Sequence, residues 1–165
     1  LINKFIGILL RPFDWYKRKI FDPKNNDFPF KNDDWLRNDN RPGEWAVAYH
    51  GFGRSFDLEK MKKSLRHIIY DKLKPGINQC YKNIKDRRHK GQLCGEGVYV
   101  SPNINIAKKY CGIFKFEKVN FRIILMVRVN PLFIREPETK TDYWILDEDN
   151  IRQYKLLLKE VYTKN

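Results

Sequence analysis

The 165 residues carry 33 Lys and Arg against 20 Asp and Glu, a net charge of +13, with 42% hydrophobic and 15% aromatic side chains. That length and apolar content suffice for one domain with its own core, and a chain this rich in aromatics is not an intrinsically disordered one despite its charge. Cys80, Cys94 and Cys111 are widely spaced without a Cys-x-x-Cys, which gives neither a disulfide framework nor a zinc site; the compartment expected is reducing and intracellular, cytoplasmic or nuclear.

Taken in chain order, residues 1–20 place Phe5, Ile8 and Leu9 at loosely helical spacing until Pro12 interrupts them. Asn3 and Lys4 break the opening apolar run, which falls well short of the roughly 20 residues of a membrane span, and no signal-peptide cleavage site follows. No membrane span is expected, and a chain opening on Leu1 reads as part of a larger multidomain protein. Residues 21–43 are rich in Asn, Asp and Pro and read as an irregular leader that Phe28, Phe30 and Trp35 pin to the body. The division expected is therefore a leader over 1–43 and a domain over 44–165.

Residues 44–51 read as a buried strand ending in a turn at His50-Gly51. From Ser55 onward, Leu58, Met61, Leu65, Ile68, Ile69 and Leu73 recur at three and four, the spacing of an amphipathic helix, with Pro75-Gly76 as its stop. A polar loop over 77–93 carries Lys82, Lys85, Arg87, Arg88 and Lys90 against Asp86 alone. A glycine-bounded strand over 95–100 leads into Ser101-Pro102, read as N-cap and first helical position of a short helix with Ile104, Ala107, Lys108 and Tyr110. Further strands are expected over 121–129, 143–146 and 153–161. Few helices and clustered strands make the class α+β, with mixed or antiparallel sheets.

Three places combine reactive side chains or glycines. His50 ends a strand beside Gly51, where a missing side chain lets a ligand approach the backbone; taken alone, such a pair is more commonly structural. Gly95-Glu96-Gly97-Val98-Tyr99 could bring backbone close to a flat ligand under a stacking tyrosine ring, but lacks the third glycine of the dinucleotide fingerprint. Asp142 opens the strand of Tyr143 amid Glu136, Glu138, Asp147, Glu148 and Asp149, any of which alone reads as a solvated turn residue.

Together and in this order, these residues resemble the catalytic domain of the poly(ADP-ribose) polymerase branch of the ADP-ribosyltransferase superfamily. The matching positions are His50-Gly51, the helix after Ser55, a variable loop, Gly95-x-Gly97-x-Tyr99, Ala107, Tyr110-Cys111 and an acid-led strand at Asp142, spanning roughly residues 45–159. The resemblance implies two packed small sheets with an NAD cleft, NAD as substrate and no metal. It implies that Gly51 backbone bonds the nicotinamide amide, His50 contacts the adenosine ribose, Tyr99 stacks on nicotinamide, and Ser101 and Tyr110 complete the binding set. Asp142 would hold the nicotinamide ribose and stabilise the positive charge that develops as the glycosidic bond breaks. The basic loop reads either as a pyrophosphate clamp through Arg87 and Arg88 or as a solvated surface.

The chain departs from the pattern in having Asp142 where polymer-forming members have Glu, Phe52 where a small hydroxyl residue is common, and Ala107 where many members have serine, for which Ser101 or Asn105 could substitute. Single ADP-ribosyl transfer to an acidic protein or nucleic-acid acceptor is therefore expected rather than chain elongation. The alternatives are an inactive module that binds a ligand or partner, and a tRNA 2′-phosphotransferase-like activity.

Overall fold

The computed structural model describes residues 34–53 and 58–161. The helical spacing over 1–20, the anchoring assigned to Phe28 and Phe30, and the helix start at Ser55 lie outside those residues.

The long apolar segment of the sequence becomes the organising strand. Along β4 (Val119–Val129), Phe121, Ile123, Leu125, Val127 and Val129 alternate onto one face and are all buried. Ile124 is buried as well, so the opposite face is covered along part of its length. β6 (Ile151–Val161) pairs with β4 from Asn120 to Val129. The other edge of β4 is shared by β1 (Ala46–Gly51), opposite Ile124 to Val129, and by β3 (Phe114–Phe116), opposite Val119 to Phe121. A second sheet joins β2 (Val98–Val100) to β5 (Trp144–Leu146), and every pairing in both sheets is antiparallel. The protein is thus an α+β structure of two small antiparallel sheets with few helices.

Helix α1 (Leu58–Asp71) seats Met61 and Leu65, one turn apart, in the core shared by the two sheets, and leaves Glu59, Lys60, Lys63 and His67 exposed. Burying a side chain such as Leu65 contributes about 1.5–3 kcal/mol. The helix stops ahead of Pro75-Gly76, because Lys72 takes a left-handed conformation at φ 69°.

Helix α2 (Ile104–Lys109) starts later than the Ser101-Pro102 signal indicates. The Ser101 backbone is committed elsewhere: its N–H donates to the Tyr49 carbonyl at 2.9 Å and its carbonyl accepts the Tyr49 N–H at 2.8 Å. Asn103 caps the helix instead, its side chain accepting from the Asn105 N–H. This Tyr49–Ser101 pair ties β1 to the end of β2 and so couples the two sheets at the place where the predicted site residues meet.

Trp35 behaves as the sequence leads one to expect of a pin. Its ring is buried, edge-on to Trp45 at 6.2 Å between centroids, and the Arg152 guanidinium lies over both indoles at 4.7 and 4.9 Å. Arg128, also buried, donates to the Trp45 carbonyl at 2.6 Å and the Leu36 carbonyl at 3.2 Å. Residues 34–45 are therefore fastened to the sheet through two arginines on β4 and β6. Among the described residues, no helix is long and apolar enough to cross a membrane.

Candidate functional site

A cavity of about 510 Å³ opens where β1, β2 and α2 converge, and five of the residues singled out from sequence line it: His50, Gly51, Tyr99, Ser101 and Tyr110. The coupling of β1 to β2 explains why residues so far apart in the chain share one cavity.

His50 and Tyr99 are in direct contact, with His50 Nδ1 at 2.8 Å from the Tyr99 carbonyl oxygen. A carbonyl only accepts, so Nδ1 carries the hydrogen and Nε2 is left as an acceptor. Burial lowers the His50 pKa from its ordinary 6.5, outweighing the opposing effect of the bond to Tyr99, so the ring is neutral near pH 7. The Tyr99 hydroxyl oxygen accepts the Tyr81 N–H at 2.9 Å, and burial pushes its pKa up, which keeps the phenol protonated.

Gly51 is glycine for a reason the sequence does not reveal. A Cβ there would overlap the Ala107 carbonyl oxygen and lie 2.9 Å from the Tyr110 Cβ, so β1 packs backbone-first against α2. The missing side chain thus makes room for a helix rather than for a ligand. What faces the cavity is peptide backbone: alternate residues of an antiparallel strand turn their N–H and C=O groups to the same edge. Tyr49 turns both toward Ser101. Gly51, two residues on, turns its own to that edge beyond the last bond to β2, and among the described residues they have no hydrogen-bond partner.

The glycines of the second motif are structural in the same sense. Gly95 sits at φ +67°, and a Cβ on Gly97 would lie 2.7 Å from the Ile145 side chain and 2.8 Å from both the Arg135 guanidinium and the Leu146 carbonyl. They let β2 close onto β5 and Arg135 and so place Tyr99, instead of admitting a ligand themselves.

Three predicted residues fall outside the lining. The Arg87 and Arg88 Nε atoms lie 3.5 and 4.0 Å from Glu136 Oε2, which is itself buried. Their loop is ordered by Asp86, a buried carboxylate accepting from the Arg88 N–H at 2.9 Å, the Glu136 N–H at 3.0 Å and His89 Nδ1 at 2.6 Å. Asp142 is exposed and directly precedes Tyr143, which does line the cavity.

Sequence reasoning missed four contributors. Tyr143 bonds its hydroxyl to that of Tyr110 at 2.8 Å and packs its ring 5.2 Å from that of Tyr81, which in turn lies 5.8 Å from Tyr99. The bond to Tyr110, and then burial, hold the Tyr143 phenol well above its ordinary pKa. Tyr81 had one sequence signal, as the only Phe, Tyr or Trp in an otherwise polar loop. Among the described lining residues Lys74 is the one Lys or Arg and none is a carboxylate, and Cys80 adds an exposed thiol. Among the described residues, the lining comprises five tyrosines, a neutral histidine, a backbone donor and acceptor pair, and a single cation.

Among the described residues, no three His, Cys, Asp or Glu side chains are grouped to hold a metal ion. Comparison of the chain with protein-family models, curated proteins and solved structures gives no match.

Proposed function

We propose that this cavity binds NAD and that the chain transfers a single ADP-ribosyl group from it, releasing nicotinamide. The observation that carries the reading is the Gly51 N–H and C=O turned to the cavity edge beside the Tyr81, Tyr99, Tyr110 and Tyr143 rings. A carboxamide on a flat ring needs one donor and one acceptor in plane and an aromatic face against it, and these groups supply that combination. His50 Nε2 offers an acceptor to a ribose hydroxyl, and Lys74 offers a charge to the pyrophosphate. With Arg87 and Arg88 turned to Glu136, Lys74 is the better placed of the cations.

In this reading Asp142 supplies negative charge as the bond to nicotinamide breaks. It directly precedes Tyr143, which lines the cavity, in the turn ahead of β5. The exposed position of Asp142 favours a second reading, a module that holds NAD or ADP-ribose without turnover.

One experiment addresses both. Protein incubated with labelled NAD is expected to release nicotinamide, and Asp142→Asn is expected to slow release on the order of 100-fold with NAD affinity retained. Saturable binding without release in the unaltered protein selects the module, and absence of binding refutes both readings.

A further inference from the structure

The edge of β2 that β5 leaves open meets three different partners. Alternate residues of an antiparallel strand turn their N–H and C=O groups to the same edge, and along β2 and its flanks those residues are Gly97, Tyr99 and Ser101. Ser101 exchanges two bonds with the Tyr49 backbone, the Tyr99 carbonyl accepts from His50 Nδ1, and Gly97 meets the side chain of Gln79. Gln79 Oε1 accepts the Gly97 N–H at 3.1 Å, while Nε2 donates to the Gly97 carbonyl at 3.1 Å and to the Gly76 carbonyl at 2.7 Å. A primary amide carries both an acceptor and donors, so it closes on a strand edge as a neighbouring peptide would, and the Gly97 N–H fixes which way round it sits.

Gln79 does not itself line the cavity, but the stretch it fastens does: Lys74, Gly76, Ile77, Asn78, Cys80 and Tyr81 form one wall. Pro75, Gly76, Ile77 and Asn78 are all exposed, and nothing lies within 4 Å of a Cβ on Gly76, so packing does little to place them. The Gln79 amide, together with the Tyr81 N–H donated to the Tyr99 hydroxyl oxygen at 2.9 Å, fastens this stretch to β2. Beyond Tyr81 the chain is held within its own loop, where the Lys82 carbonyl accepts the Gly95 N–H at 2.9 Å. We propose that Gln79 is the positioning residue of the cavity: through Gly97 it sets the place of the 74–81 wall, and with it the contacts of the Tyr81 ring with Tyr99 and Tyr143. The proposal concerns the cavity and stands whichever molecule fills it.

Without the amide, the wall keeps only its fastening at Tyr81 and opens locally while the sheets stay folded. Gln79→Glu is the sharper substitution. It keeps the length and an acceptor for the Gly97 N–H but has no donor when ionised, so it sets a carboxylate against the Gly76 and Gly97 carbonyl oxygens. One consequence rests on the NAD reading: NAD affinity falls by up to about tenfold, the worth of one lost ring contact, on changing a residue outside the lining.

The test is NMR of the full chain without ligand, comparing the unaltered protein with Gln79→Ala and Gln79→Glu. Both variants are expected to speed exchange of the Tyr81 N–H on the order of tenfold, although its own acceptor on Tyr99 is untouched. Both should also shift the ring protons of Tyr99 and Tyr143 as the Tyr81 ring leaves them. Amides of β4 should exchange as before, and melting curves check that the sheets are intact. Exchange that quickens at Gly97 alone, with the Tyr81 N–H and the ring protons unchanged, overturns the proposal and leaves Gln79 a local bond. A lower melting temperature with unmoved ring protons overturns it too. Because the sample contains no NAD, this failure leaves the NAD reading standing, and failure of NAD to bind leaves the positioning role standing.

Discussion

Gly51→Ala tests the packing that shapes the cavity. The added methyl would overlap the Ala107 carbonyl oxygen, which is backbone and cannot turn aside as a flexible side chain would, and it would lie 2.9 Å from the Tyr110 Cβ. Relief requires α2 to move away from β1, taking Tyr110 with it. Overpacking of this kind costs about 1–3 kcal/mol, and each kcal/mol lowers the melting temperature of a protein this size by roughly 2–4 °C. The expected fall is therefore about 2–12 °C, together with weaker NAD binding as Tyr110 leaves its place against Tyr143. Gly76, in the wall of the same cavity, is the control: nothing lies within 4 Å of a Cβ there, and its φ is outside the left-handed range. Gly76→Ala should be neutral or stabilise by up to about 1 kcal/mol through the unfolded chain. Thermal unfolding and NAD titration of the two variants side by side measure both effects. If Gly51→Ala melts with the unaltered protein and binds NAD equally well, the packing argument for Gly51 is refuted.

Asp86→Ala removes the acceptor of two backbone N–H groups and of His89; leaving the buried Glu136 N–H without a partner costs about 1–3 kcal/mol, measurable by urea unfolding. Burial raises the Asp86 pKa, but the bonds from Glu136, Arg88 and His89 more than offset it and hold it below its ordinary 3.8. Its charge therefore stabilises the fold above the unfolded value and ceases to do so as pH falls through the folded one, so the gap between variant and unaltered protein should narrow in acid; a gap independent of pH contradicts the assignment. Tyr99→Phe keeps the stacking face but removes the acceptor of the Tyr81 N–H, with an expected loss of about 0.5–1.5 kcal/mol and most of the NAD affinity retained. If Tyr99→Phe loses as much NAD affinity as Tyr99→Ala, the ring face is not what matters.

The central strand, the α1 stripe of Met61 and Leu65, and the pinning of Trp35 were legible because period and aromatic size announce burial without knowledge of the partner. The meeting of His50 with Tyr99 was legible only through order along the chain, since no local pattern states that Tyr49 pairs with Ser101. What the sequence concealed is what depends on distant partners. Gly51 reads as an opening for a ligand until Ala107 is found packed against it. Gly97 is explained only by Ile145 and Arg135 lying across it. Arg87 and Arg88 look free for phosphate until Glu136, contributed by the turn after β4, takes them up. The Ser101-Pro102 helix signal fails because the backbone of Ser101 is already spent on strand pairing. β3 is a three-residue strand, too short to show a period. Tyr81 and Tyr143 carry no motif, and they join the site because the loop and the β5 turn bring their rings together.

Calorimetric titration of NAD into the unaltered protein, with nicotinamide as competitor, tests the central claim most directly. The account predicts one saturable site per chain, displaced by nicotinamide and lost in His50→Ala together with Tyr99→Ala while the melting curve shows a folded protein. No saturable binding, or binding indifferent to nicotinamide, would contradict it.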